Sequence, residues 1–304
     1  MKPTITVFTP TYNRAYCLHN GYEALCRQTL KDFVWLVVDD GSTDNTKELV
    51  ESWQKSDNGF EIQYLYKTNG GLYSGYIAAI NAIQTELCMC VDSDDCLTDN
   101  AIESVLDLWR EYGSEKYAGV IGYDAQKNGC IIGEIFPESM KTINLIDTLL
   151  GRAEVKDADW KNIVRTELYR EAIPSRIITD EFMGEKDFNP HYLHIKICEK
   201  YDFLVLNKVL CIVDYQPDGM TATVLKQYIR SPNSFRALRL LELTYHDAPT
   251  KFKIKKTIHY ISSCILAKKP CFSASPQKIL SVILYPIGVL FTLYLLIRNW
   301  KLGR

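Results

Sequence analysis

Neither sign of charge is in surplus along this sequence. Lysine and arginine number 35 against 37 aspartates and glutamates, a formal net charge of -2, so no global basic field marks a nucleic-acid partner. Internal repeats and low-complexity tracts are also missing. With 47% hydrophobic and 24% charged residues, the composition is too apolar for disorder. No signal peptide is expected, since Lys2, Pro3 and Thr4 precede only a strand-length apolar run. The 10 cysteines include Cys88 and Cys90, which alternate on one strand face. The second pair that a zinc ribbon requires is absent, so buried reduced thiols of a cytosolic protein are expected.

What is present is an alternation of short strands and helices. Thr4 to Phe8 is a β-branched and aromatic run that stops at Pro10, and Arg14 to Thr29 reads as a helix. Phe33 to Val38 runs into Asp39-Asp40-Gly41-Ser42, with Ser42 or Asp44 capping a helix over Thr46 to Gln54. Ile62 to Tyr66 leads to Asn69-Gly70-Gly71 and a helix through Gln84. Leu87 to Val91 ends in Asp92-Ser93-Asp94-Asp95 before a helix over Ile102 to Tyr112. Short connections between strand and helix predict a parallel sheet covered on both faces. Ligands of such sheets lie outside the carboxyl ends of the strands, where both acidic clusters fall. Beyond residue 120 the pattern is weaker. Val120 to Tyr123, Cys130 to Phe136 and Val209 to Val213 read as strands, Asp147 to Leu150 and Tyr192 to Tyr201 as helical, and Pro217-Asp218-Gly219 as a turn.

Three carboxylates in the four residues 92–95 repel one another unless a cation is present. Mn²⁺ or Mg²⁺ with oxygen ligands and bound phosphates is one reading, and a solvated acidic turn is the other. Asp39 and Asp40 either accept a hydrogen bond from a nucleobase N–H or cap the following helix. Gly70 and Gly71 offer backbone N–H groups to a phosphate, without the spacing of a dinucleotide or Walker fingerprint.

In order, Val-Phe-Thr-Pro-Thr-Tyr-Asn-Arg (7–14), Gln28-Thr29, Val-Val-Asp-Asp-Gly-Ser-Thr-Asp-Asn-Thr (37–46), Asn69-Gly70-Gly71 and Val-Asp-Ser-Asp-Asp (91–95) resemble an inverting family 2 glycosyltransferase of the bacterial polysaccharide-biosynthesis type. The resemblance covers residues 4 to 110 closely and extends loosely to about 225. It implies a GT-A fold, an α/β architecture with a mostly parallel Rossmann-type sheet flanked by helices. Pro10, Thr11 and Tyr12 then line the nucleoside pocket, and Asp40 contacts a uracil-type base with Asp39 beside it. Asp92 and Asp94 are the outer members of an Asp-x-Asp motif around Ser93, with Asp94 the direct metal ligand. Asp95 orients the donor sugar. The resemblance also implies a catalytic base, here Glu185 within Gly184-Glu185-Lys186-Asp187-Phe188, with Asp187 as second choice; the alternative is that both decorate a loop. His191 and His194 read as ordinary helix residues. One departure stands out: the helix after the glycine pair, Leu-Tyr-Ser-Gly-Tyr-Ile-Ala-Ala-Ile-Asn-Ala (72–82), places Ile77 where the family carries a polar donor.

The implied reaction is a single displacement with inversion, carrying a sugar from a nucleoside diphosphate to a hydroxyl of a glycan or lipid-linked acceptor. Two rivals are weighed. A sugar nucleotidylyltransferase needs a glycine-rich loop after the first strand, and Phe8 to Arg14 contains no glycine. A membrane-tethered binding protein with impaired catalysis draws support only from the unusual helix at 72–82. The resemblance implies a glycosyltransferase domain at 1–230 (nucleotide-sugar half 1–115, acceptor half 116–230), and a change of composition beyond Pro232 marks a helical region at 231–304. In the latter, Lys251, Lys253, Lys255, Lys256, Lys268 and Lys269 surround an isoleucine stripe, and Ile279 to Ile297 carries no formal charge. Residues 251–304 are therefore expected to hold the chain at the cytoplasmic face of the membrane, as a span, a re-entrant hairpin at Pro286 and Gly288, or a surface helix.

Overall fold

The computed structural model describes residues 3–156, 158–173, 184–216 and 220–302. Its opening strand–helix units are β1 (Ile5–Thr11), α1 (Ala15–Cys26), β2 (Phe33–Asp39), α2 (Thr46–Gln54), β3 (Glu61–Tyr66), α3 (Leu72–Ala82), β4 (Leu87–Cys90), β5 (Cys96–Leu97) and α4 (Ala101–Tyr112). The first four strands pair in parallel in the order β3-β2-β1-β4. Every residue of β2 is buried, as a parallel strand between two covered faces requires. Pro10 lies inside β1, which runs on to Thr11. Phe8 O accepts from Val91 N on the β4 side and Thr11 O from Asp40 N on the β2 side, so the N–H that proline lacks would face the β4 side. Pairing there has ended at Phe8, and no ladder bond is lost.

β6 (Tyr117–Gln126), β7 (Thr142–Ile143), α5 (Leu145–Leu150), β8 (Trp160–Arg165), α6 (Thr166–Ala172), α7 (His191–Cys198) and β9 (Asp202–Val213) complete the sheet. β8 inserts antiparallel between β4 and β6, β9 pairs parallel with β6, and β5 and β7 lie antiparallel to β9. The sheet is thus mixed, with its continuous parallel stretch confined to β1–β4. The strand expected over Cys130 to Phe136 does not form beyond one bridge, Ala125 to Ile131. Ile135 is exposed and only Phe136 is buried, so the segment has no apolar face to pack.

Chain contacts divide the protein into Met1–Ile173 with Leu193–Tyr215, and Pro174–Tyr192 with Gln216–Arg304. This differs from a single cut at residue 230, because Glu185 and Asp187 bind residues 230–234 and draw their own segment into the second unit. The core of the first unit centres on Trp35, whose Nε1 donates to Thr9 Oγ1 at 3.0 Å. The second unit contains α8 (Met220–Arg230), α9 (Pro232–Leu243), α10 (Thr250–Leu266) and α11 (Lys278–Leu302). Its core gathers Leu243, Tyr260, Ile261, Cys264, Cys271 and Leu284. α11 is one helix that runs through Pro286, so the hairpin expected there is not formed. A Cβ on Gly288 would lie 2.4 Å from Ile261 Cγ2, and Thr292 Oγ1 donates to Ser262 Oγ at 3.0 Å and to Gly288 O at 2.8 Å. Glycine therefore serves as the contact point of two closely packed helices.

Candidate active site

Both acidic turns lie where β2 and β4 leave the sheet. Asp39 is buried, with Oδ2 accepting from Tyr64 Oη at 2.6 Å and Oδ1 from Ser42 N at 2.7 Å. Asp40 is buried beside it and faces the glycine loop. Its Oδ1 accepts from Gly70 N at 2.9 Å and from Lys67 Nζ, and its Oδ2 from Gly71 N at 2.7 Å and Asn69 Nδ2 at 3.1 Å. Four donors occupy the four lone-pair directions of one carboxylate. The N–H groups of Gly70 and Gly71, expected at a phosphate, are thus held by Asp40 instead, and a nucleobase N–H reaches Asp40 only by displacing one of these donors. Gly41 permits the arrangement twice over: its φ is +82°, and a Cβ there would stand 2.8 Å from Asn69 N. At the end of β1, Thr11 is buried with Oγ1 unpartnered among the described residues, and Tyr12, just past the strand, is exposed. Neither Ser42 nor Asp44 takes the N-cap position of α2, which is Asn45, but Asp44 ties the two helix starts together. Its Oδ1 accepts from Thr46 N and its Oδ2 from Ala15 N, both at 3.1 Å, joining the starts of α1 and α2.

The turn after β4 is closed by Asp95 N donating to Asp92 O at 3.0 Å. Asp92 is exposed, Asp94 half-buried, and Ser93 and Asp95 are buried. Burial first, and then the charge of Asp92, raise the pKa of Asp94 above the usual carboxylate range. A small recess beside the turn is lined by Thr9, Trp35, Asp92, Ser93 and Asp95. No group of three or more His, Cys, Asp or Glu side chains that could hold a metal is found among the described residues. Asp92 and Asp94 nevertheless fit a hard cation that takes its other ligands from phosphate: they are adjacent oxygen donors of like charge, one of them exposed.

Behind the turn lies a group that local sequence patterns do not reveal. Lys161 Nζ, on β8, is buried 4.0 Å from Asp95 Oδ2 and 3.6 Å from Asp124 Oδ2 on β6. Asp95 Oδ1 accepts from Asp214 N, just past β9, at 3.1 Å. Burial pushes the pKa of Asp95 up to about 8 and that of Asp124 up to about 7, against the pull of Lys161. Burial alone would lower the pKa of Lys161, but Asp124, Cys211 and Asp95 together hold it above its ordinary value. Lys67 and Ser74 also escape sequence reasoning. Ser74 accepts from Lys67 Nζ at 2.8 Å, so polar groups reach the glycine loop although Ile77 on the same helix is apolar.

Glu185 and Asp187 belong to the second unit. Glu185 Oε1 accepts from Asn233 N and Nδ2 at 2.7 and 2.8 Å, and Oε2 from Ser234 N and Oγ at 2.8 and 2.9 Å. These include N–H groups of the first turn of α9 that have no partner within the helix. Asp187 takes a bidentate pair from Arg230 and a hydrogen bond from Ser231 Oγ at 2.8 Å. His194 Nε2 bonds Tyr169 Oη at 2.7 Å in a buried pair, an ordinary packing role. Pro217-Asp218-Gly219 lies outside the described residues.

Residues 6–144 match the profile described as Glycosyl transferase family 2, and this stretch holds both acidic turns and the glycine loop. Similar curated proteins include Glycosyltransferase GlyG of Streptococcus pneumoniae, 31% identical over 39% of this chain and 39% of its own length. The uncharacterized glycosyltransferase EpsJ of Bacillus subtilis is 31% identical over 36% of this chain and 33% of its own. The chain therefore spans about two fifths or less of these relatives. Among solved structures, S. aureus TarS 1-349 in complex with UDP is 20% identical, with a TM-score of 0.52 over 87% of this chain and 72% of that one. Mannosyltransferase PcManGT from Pyrobaculum calidifontis, in complex with GDP-Man and Mn²⁺, is 16% identical, with a TM-score of 0.56 over 99% and 83%. At these identities the likeness shows the fold alone, a GT-A-like mixed α/β sheet flanked by helices.

Proposed function

We propose that the chain transfers a sugar, with inversion, from a uridine diphosphate sugar to a hydroxyl of a glycan or lipid-linked acceptor in cell-surface polysaccharide synthesis. The observation that carries this reading is the pairing of the Asp39-Asp40 and Asp92–Asp95 turns at the ends of parallel strands within the family 2 segment. Bound UDP in the TarS structure and bound GDP-Man with Mn²⁺ in the mannosyltransferase support a nucleotide-sugar donor. Pro10, Thr11, Tyr12, Asp39 and Asp40 form the base side, and Ser93 and Asp95 face the donor sugar. Asp92 and Asp94 would hold a divalent cation, which when bound neutralises charge on the departing diphosphate. General-base help typically contributes about 10²–10⁴-fold. Glu185 is assigned that role with Asp187 second, and Glu185 takes a proton only after releasing hydrogen bonds from Asn233 or Ser234. Turnover of UDP-sugars with release of UDP tests the reading, and release of pyrophosphate, or no turnover with any nucleotide sugar, refutes it.

The second unit is assigned to the cytoplasmic membrane surface. α11 is long and apolar enough to cross a bilayer, yet only 28% of its most apolar window is buried. Its packed seam is Ser281, Leu284, Gly288, Thr292 and Leu295, while Ile279, Val282, Ile283, Leu290, Leu293 and Ile297 are exposed. α10, packed along that seam, carries Lys251, Lys253, Lys255 and Lys256. His259 meets Phe291 and Phe272 meets Tyr285, so the helices run antiparallel and these lysines lie toward the C-terminal end of α11, near Arg298, a cationic end suited to anionic headgroups.

A further inference from the structure

Three ionic side chains are buried together behind the donor turn, and of them the transfer reaction as described uses only Asp95. Lys161, Asp124 and Asp95 are each less than a tenth exposed. The ammonium's distances of 3.6 and 4.0 Å to the two carboxylates are ion-pair distances too long for a hydrogen bond. Asp124 Oδ1 has no partner at all among the described residues. Taking an ammonium out of water is costly, and a pair so loosely hydrogen-bonded recovers little of that cost. Apolar side chains of similar volume would stabilise the sheet better. Stability does not account for Lys161, but its location does. Asp95 is the residue on which the turn is built: its N–H closes the turn on Asp92 O, its Oδ1 takes the N–H of Asp214, and its Oδ2 faces Lys161. β5 follows at once and pairs with β9 through Cys96 and Ile212. Without Lys161 behind it, Asp95 would lose the cationic neighbour at its Oδ2 and would turn toward water, taking the main chain of the turn with it.

We propose that Lys161 is a positioning residue for the donor: it anchors Asp95, and through Asp95 it fixes the turn that presents Asp92 and Asp94. This rests on the assignment of that turn to the donor diphosphate. The test is the full chain carrying Lys161→Met with Asp124→Asn, which removes the ammonium together with the acid it faces. Amide exchange over residues 92–97 and at Asp214 should quicken about tenfold or more while β1 and β2 keep their protection. In the presence of UDP, the Mn²⁺ concentration that half-saturates the protein, read by the electron spin resonance of the ion, should rise about tenfold or more. Metal-free binding of UDP should not change. Should the double variant fail to fold, Lys161→Met alone is measured in the same way. Wild-type exchange and wild-type Mn²⁺ binding in the folded variant would overturn the proposal. A wild-type chain that binds neither UDP nor Mn²⁺ would instead refute the donor assignment, and the exchange data would still decide whether Lys161 holds the turn.

Discussion

On the proposed donor assignment, Asp40 sets what a nucleotide has to displace. A carboxylate with every lone pair engaged by Lys67, Asn69, Gly70 and Gly71 makes base binding an exchange of hydrogen bonds, with a modest net gain of about 1 kcal/mol for each. Asp94 differs, being half-buried against a like charge with its pKa raised. Asp94→Asn should abolish transfer and leave the melting temperature within a few degrees of wild type. Full activity in that variant, or in EDTA, would end the metal assignment. Glu185→Gln separates two duties. As a cap on α9 the residue should cost about 1–3 kcal/mol when its acceptors are halved, whereas as a base it should lower kcat far more than donor KM. Thermal melts and initial rates on one preparation tell them apart, and a variant unchanged in both would remove Glu185 from either role. Asp124 gives a pH dependence. Its native pKa of about 7 exceeds the unfolded value of about 3.9, so between the two the native state holds more protons. Its burial therefore costs stability increasingly as pH rises from about 4 to 7. Asp124→Asn should flatten that decline in calorimetric melts, and a slope identical to wild type would show that Asp124 is ionised throughout.

At the scale of elements, β1 to β4 and α1 to α4 are legible in the sequence because each strand is a short apolar run closed by turn chemistry, whereas the two-residue β5 is not. Each helix shows its stripe, as α4 does with Ala101, Ile102, Val105, Leu106 and Trp109 buried. The acidic turns are legible for the same reason, since they end strands. β8 is not, because Lys161 and Asn162 interrupt the apolar run Trp160–Arg165. The partners of Lys161 come from β6 and from the turn after β4, which are distant in sequence. Lys67, a lone charge past a strand end, has no local signature either. The second unit is readable in composition but not in packing: nothing near Gly288 announces that Ile261 rests on it. Gly288→Ala should separate α10 from α11 at a cost of about 1–3 kcal/mol, seen as a lower melting temperature with UDP affinity intact. An unchanged melting temperature would mean the two helices slide freely.

For the molecule as a whole, the exposed apolar face of α11 predicts that full-length protein floats with vesicles containing anionic lipid. A chain with Ile283→Glu and Leu290→Glu should float several-fold less, the cost of two charges in an apolar interface. Equal flotation of the two would exclude α11 as the contact. The interleaving of the two units also bears on synthesis. β1 to β4 pair within the first 90 residues, so that half of the sheet can form early. β5 has no partner strand until β9 exists, and Asp95 has no Asp214 to hold. The donor turn, present in the chain from residue 92, therefore stays unbraced until the ribosome has passed Val213. On the proposed donor assignment, a nascent chain would be kept from gripping the donor until β9 has been made.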